Sequence, residues 1–152
     1  MVSYLRVLIS GSAVVWVAAF AFTAASAYVA PAQKTTNDGV YTKAQADGAK
    51  KQFETICADC HPFTVAAKKK PKDLPLGDEP FFDSWSGRPL SEMITLIALT
   101  MPNDGSATVT DEEAANLVAY ILQQNGYPAG SVPLTTATAS AVIQRPGQQK
   151  KQ

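Results

Sequence analysis

Residues 54–64 read ETICADCHPFT, and this stretch holds all the cysteine and histidine side chains of the sequence. The sequence has two cysteines and one histidine in 152 residues, and all three lie here, as Cys57, Cys60 and His61. A disulfide framework in a small domain uses four or more cysteines, whereas this chain has one pair. The three side chains therefore indicate one shared site rather than a set of cross-links.

Three kinds of site use cysteines at this spacing. A structural zinc site needs four ligands, usually from two separated pairs, and this cluster offers three. A thioredoxin-type redox pair needs a βαβ context, which the helical pattern of this chain does not provide. Covalent haem attachment uses C-x-x-C-H, with both thiols forming thioethers and the histidine binding iron. The motif predicts one covalently bound haem c held by Cys57 and Cys60, with His61 as an axial ligand of the iron.

The second axial ligand has to come from another residue type, because the chain has no second histidine. Met1 belongs to the N-terminal segment. Met93 lies in a predicted helix, where methionine is most often core filler. Met101 precedes Pro102, which disfavours helix at the residue before it and leaves an extended loop there. We therefore predict Met101 as the second ligand and keep Met93 as the alternative.

The pattern of apolar residues predicts an all-α domain with about three to four helices and long loops. Residues 41–57 carry apolar side chains at spacings of three and four, and a second helix is expected from a Ser91 cap to about Met101. Thr110 and Glu113 form a capping box ahead of the last helix. Residues 61–80 contain four prolines and are expected to be mostly loop. The apolar residues are few for this length, so the haem is expected to complete the core.

Both ends of the chain differ in composition from the helical part. Residues 1–27 are apolar with an Ala-x-Ala site at their end, which predicts a signal peptide; an uncleaved membrane anchor is the alternative. Residues 28–40 are predicted as a linker, 41–134 as the haem domain and 135–152 as a disordered tail. No basic stripe with interleaved aromatic residues occurs, so a nucleic acid partner is not expected.

In these motifs and their order, the chain resembles a class I cytochrome c from about Tyr41 to Gly130. The shared features are an N-terminal helix ending in CADCH, a loop, the dipeptide MP, and a C-terminal helix. In that family the first and last helices cross at close range, and Phe53 and Tyr120 fit the aromatic positions. Gly48 lies one position before the usual crossing glycine, which leaves Ala49 at the crossing.

A narrower resemblance concerns the segments PLGDEPFFDSWSGRPLSEMITLIALTMP and TDEEAANLVAYILQQNGYPAG. They are similar to small cytochromes c that accept electrons from quinoprotein (PQQ) alcohol dehydrogenases. The resemblance implies that Trp85 and Arg88 approach the haem propionates. It also implies that Pro75 offers its carbonyl to Nδ1–H of His61, with Pro71 as the alternative. Pro62 stands where that family usually has glycine.

The function expected from this resemblance is single-electron transfer between redox proteins by a periplasmic cytochrome c, not enzymatic catalysis. A membrane-anchored cytochrome subunit of a respiratory or photosynthetic complex is the alternative, and a membrane contact is expected only if residues 1–27 stay uncleaved. A haem enzyme or sensor with an open distal site is less favoured, since no second histidine is present to serve it. The lysines of residues 68–72 are either a docking patch for an acidic partner or a solvated loop.

Overall fold

The computed structural model describes residues 32–148, and the predicted signal peptide or anchor lies outside them. This part of the chain contains four α-helices and three short 3-10 helices, joined by loops and by isolated bridges. The predicted all-α fold is confirmed. No helix within residues 32–148 is long and apolar enough to cross a membrane. The helices are α1 (Lys43–Ile56), α2 (Asp78–Trp85), α3 (Leu90–Thr100) and α4 (Asp111–Gln124).

The first and last helices form the centre of the fold. Helix α1 packs along α4, and the buried face of α1 consists of Ala46, Ala49 and Phe53, as their spacing predicts. Ala49 is buried at 3 % exposure, whereas a Cβ added at Gly48 would meet nothing within 4 Å. The crossing therefore uses Ala49, as expected from the sequence. The capping box at the start of α4 is also confirmed.

Helix α3 begins differently from the prediction. It starts at Leu90 after Pro89, and no side chain caps it, so the predicted Ser91 cap is wrong. The free N–H groups of this helix end bond elsewhere, because Leu90 N donates to Ala141 O at 2.9 Å and Ser91 N to Ala139 O at 2.9 Å. Backbone carbonyls from a distant segment thus replace the side-chain cap.

That distant segment is the C-terminal strap, which we define as residues 129–148. The predicted disorder of residues 135–152 is wrong for 135–148, since the strap buries Leu134, Ala139, Ala141 and Ile143. Arg145 binds the carboxylate of Glu79 through two bonds of 2.8 and 2.7 Å, which fastens the strap to α2. Residues 149–152 lie outside the described part of the chain.

The predicted linker is likewise part of the fold from Thr35 onward. Thr35 and Thr36 are buried, and Thr36 N donates to Val142 O at 3.0 Å. Val142 N in turn donates to Lys34 O at 2.9 Å, so the two ends of the described chain pair with each other. The folded domain therefore extends beyond the predicted limits of 41–134 in both directions.

Candidate haem site

The C-x-x-C-H motif follows directly from the end of α1. Cys57 is the C-terminal cap of α1, and its N–H donates to Phe53 O at 2.9 Å. The chain then turns, because Cys60 N and His61 N both donate to Cys57 O, at 3.1 and 2.9 Å. This turn places Cys57, Cys60 and His61 on the wall of one cavity.

The cavity has a volume of about 410 Å³, within the range of about 300–1,000 Å³ of sites that hold a small molecule or cofactor. Its walls come from α1, from the loop after the motif, and from α2, α3 and α4. The lining is mainly apolar, with a few polar groups, as a porphyrin requires. The lining residues are Phe53, Ile56, Cys57, Cys60, His61, Lys72, Leu74, Leu76, Trp85, Met93, Leu96, Ile97, Met101, Pro102, Asn103, Asp104, Val109, Leu117 and Ile121.

The imidazole of His61 is oriented by one backbone contact. Its Nδ1 lies 3.0 Å from Leu74 O, and because a carbonyl only accepts, Nδ1 carries the proton and donates it. In the neutral imidazole this leaves Nε2 as the nitrogen that can bind a metal ion, which is the tautomer that an axial haem ligand needs. The chemistry of this donor set fits haem c.

The carbonyl partner of His61 differs from the one implied by the resemblance. Pro75 was expected to supply it, with Pro71 as the alternative, and both assignments are wrong. Leu74 N donates to Cys60 O at 2.9 Å, and Leu76 N donates to Pro62 O at 2.8 Å. These two bonds set the register of the loop, and that register brings the Leu74 carbonyl, one residue before Pro75, opposite the imidazole.

Both cysteines are free thiols, as thioether formation requires. Cys57 is half-buried, and desolvation raises the pKa of its thiol to about 11. A redox-active pair instead needs one cysteine with a lowered pKa, so that the thiolate is present at neutral pH. The environment of Cys57 therefore does not favour the thiolate form at this position.

Both methionines of the described chain line the cavity, so this position alone does not show which of them is the ligand. Met93 is in the middle of α3 and is 2 % exposed, as expected of a core side chain. Met101 follows the last turn of α3 with an extended backbone at φ −112° and ψ 146°, as predicted from Pro102. Its role as the axial ligand stays a prediction.

Trp85 and Arg88 form a stacked pair at the edge of the cavity. Trp85 lines the cavity, and the Arg88 guanidinium lies 4.3 Å from the centre of its ring. Arg88 also forms an ion pair with Glu92 at 2.6 Å, and it is not among the lining residues. The structure thus brings Trp85 into the site and places Arg88 against its ring; the contact of either residue with haem propionates stays a prediction.

Two features of the site were not found from the sequence. Phe63 stacks on Phe53 at 5.0 Å and meets Tyr120 at 6.0 Å, so an aromatic cluster joins the helix crossing to the cavity wall. Asp73, in the lysine-rich loop, is 3 % exposed and accepts two backbone N–H groups. Aspartate side chains often bind backbone groups three or four residues before them, and this local pattern could have indicated the second feature.

Together the helical fold, the attachment motif and the histidine orientation define the site of a c-type cytochrome. Residues 44–121, just over half of the chain, match the family model described as "Cytochrome C oxidase, cbb3-type, subunit III", and the chain belongs to this family of cytochrome c domains. Comparison with curated proteins and with solved structures gave no match. Membership in the family implies covalently bound haem c, a role in electron transfer, and redox proteins as partners.

Proposed function

We propose that this protein is an exported cytochrome c with one haem that carries single electrons between redox proteins of the periplasm. A quinoprotein dehydrogenase is the proposed donor, on the resemblance of residues 75–102 and 110–130 to cytochromes that serve such enzymes. Bound haem c supplies a one-electron couple between ferrous and ferric iron. The chain's own part is to attach it, exclude water from it and fill both of its axial positions.

The observation that carries the proposal is the contact between His61 Nδ1 and the Leu74 carbonyl. It consumes the one histidine of the chain as a fixed ligand, so that no second imidazole remains for acid–base chemistry at an open haem face. Met101, in the loop after α3, would supply the second ligand of the iron. A site with both positions filled transfers electrons without binding a substrate.

The test is to produce the full chain in a bacterium that matures c-type cytochromes and to purify the exported holoprotein. We expect haem that stays attached after denaturation, a low-spin spectrum in both oxidation states, and a reversible one-electron titration. The ferrous protein should bind carbon monoxide poorly, and a reduced quinoprotein alcohol dehydrogenase should reduce the ferric protein. A high-spin ferrous haem that binds carbon monoxide readily would instead indicate an enzyme or sensor.

The assignment of Met101 is tested by a pair of variants. Met101→Ala should open the sixth position, lower the potential and allow carbon monoxide to bind, because thioether sulfur favours ferrous iron. Met93→Leu nearly conserves volume, so it should cost less than about 1.5 kcal/mol and leave the iron spectrum unchanged. If Met93→Leu loses the sulfur-to-iron charge-transfer band while Met101→Ala keeps it, the two roles are reversed.

A second candidate function is that of a membrane-anchored subunit of a respiratory complex, which the description of the matched family favours. In that case residues 1–27 would remain attached as the anchor. Mass spectrometry of the mature N-terminus separates the two candidates. A chain that begins at Tyr28 rejects the anchored form, whereas retention of residue 1 in the membrane fraction supports it.

A further inference from the structure

The loop that meets His61 is paired with the haem-attachment motif in a parallel register. Leu74 N donates to Cys60 O and Leu76 N donates to Pro62 O, with the same offset between the two segments. In a parallel pair the bonds run alternately in both directions. The Leu74 carbonyl would therefore normally accept the N–H of residue 62.

Residue 62 is a proline and has no N–H. The Leu74 carbonyl consequently lacks its usual backbone donor, and Nδ1 of His61 takes that place at 3.0 Å. A glycine or alanine at position 62 would supply a backbone N–H that competes for the same oxygen. Pro62 thus reserves the Leu74 carbonyl for the imidazole.

The residue before Leu74 in the chain, Asp73, is fixed by its own hydrogen bonds. Its carboxylate is buried, and Oδ2 accepts Lys69 N at 2.8 Å and Lys70 N at 2.9 Å. The backbone N–H of Asp73 closes the turn by donating to Lys70 O at 3.1 Å. The bonds from Lys70 and Lys69 lower the pKa of this carboxyl group, so it stays ionised at neutral pH. Leu74, whose carbonyl meets His61, is the next residue after Asp73.

We propose that Asp73 and Pro62 are positioning residues for His61, and that both act through the Leu74 carbonyl. Asp73 holds that carbonyl in place, and Pro62 keeps it free of a competing donor. A well-formed Nδ1–H···O bond makes Nε2 a stronger donor to a metal ion, which stabilises ferric iron and lowers the potential. The inference rests on the proposed function, since it concerns the ligand strength of His61.

The experiment compares the parent holoprotein with Asp73→Asn, Asp73→Ala and Pro62→Ala. The potential should rise from the parent through Asn to Ala at position 73, and it should also rise for Pro62→Ala. When the hydrogen bond between His61 Nδ1 and the Leu74 carbonyl is lost, we expect about a tenfold change in the equilibrium constant for reduction, or about 59 mV for one electron. The NMR signal of the His61 Nδ1 proton should shift, and this proton should exchange faster with solvent.

Two control variants match these changes away from the haem. Asp38→Ala removes a carboxylate that accepts Thr35 N at 2.7 Å, and Pro133→Ala adds a backbone N–H on the exposed part of the strap. Both should leave the potential and the Nδ1 signal at their parent values. If Asp73→Ala lowers stability but leaves potential and Nδ1 signal unchanged, Asp73 only stabilises its loop and the inference is wrong.

The parent protein alone provides a further test, which holds even if the variants mature without haem. If Asp73 couples the loop to the imidazole, the amide protons of Lys69 and Lys70 and the Nδ1 proton of His61 should exchange in one cooperative opening. Independent exchange rates would overturn the inference. A parent spectrum without histidine-ligated low-spin haem would instead contradict the proposed function, and it would be seen before any variant is made.

Discussion

Replacing Ile143 by alanine tests whether the C-terminal strap belongs to the cooperative fold. The side chain is 0 % exposed, and its backbone exchanges bonds with the segment before α3, since Ile143 N donates to Arg88 O at 2.9 Å. Truncating a buried isoleucine to alanine costs about 2–5 kcal/mol. With roughly 4 °C of midpoint per kcal/mol in a domain of this size, we expect the melting temperature to fall by about 8–20 °C.

The assay is thermal and urea unfolding of the holoprotein, followed by far-ultraviolet circular dichroism. Val132→Ala is the matched control, because this residue lies in the same strap but is 55 % exposed, and a change within about 0.5 kcal/mol is expected. The urea dependence should keep its slope, since the unfolded surface barely changes. If both variants unfold at the parent midpoint, the strap is not packed and the disordered tail expected from composition is correct.

Three further predictions concern the helices and the haem. Cys57 and Cys60 replaced together by alanine should give a chain with little helical circular dichroism, because the apolar cavity then lacks its attached porphyrin; a protease-resistant haem-free fold would contradict this. Gly48→Ala should raise the free energy of unfolding by about 0.5–1 kcal/mol, because the added methyl group lies in open space on α1. Gly130→Ala should lower the free energy of unfolding, because its Cβ would lie 1.9 Å from a backbone carbonyl oxygen. Chemical denaturation measures both changes, and changes of the opposite sign would refute the packing described. The pKa of Glu113 is lowered by the backbone N–H at its helix cap, so its contribution to stability is complete above about pH 4.3 and is lost as the pH falls through the folded pKa. In Glu113→Gln the free energy of unfolding should therefore fall less steeply with decreasing pH than in the parent. An unchanged pH profile would contradict this role of Glu113.

The parts of the fold that the sequence predicts well are those with a strong local signal. The capping box at Thr110 and the apolar spacing of α1 depend on residues a few positions apart, and both were located correctly. Helix α2 was not located, because Pro80 suggested a loop. Pro80 is the third residue of that helix, where a missing N–H breaks no intrahelical bond.

The strap was missed for a different reason. Its buried residues Ala139 and Ala141 are small, so they add little to a measure of hydrophobicity, and their partners lie far away in the chain. Burial alternates along Ala139, Ala141 and Ile143 with a period of two, but the sequence does not show this alternation, because Val142 between the last two is also apolar. Composition concealed this extended segment, because a stretch with few large apolar residues is also what a disordered tail shows.

The candidate site was predictable where covalent chemistry dictates residue type and spacing. The thiols and the imidazole fall on one cavity wall, as the motif requires. The carbonyl partner of His61 was placed one residue too far, at Pro75 instead of Leu74, because a main-chain acceptor depends on loop register and not on side-chain identity. Arg88 was assigned from a resemblance, and its actual contacts with Trp85 and Glu92 depend on neighbouring helices.

The pairing of Lys34 with Val142 has a consequence for how this domain combines with others. The chain enters and leaves the folded unit at nearly the same point, with Val142 N only 2.9 Å from Lys34 O. Such a unit can be inserted into a loop of a host protein, or circularly permuted with its new ends elsewhere, without redirecting the haem-binding helices. The two ends of the cytochrome domain therefore lie next to each other, so that both connections to a host protein can be made at one place.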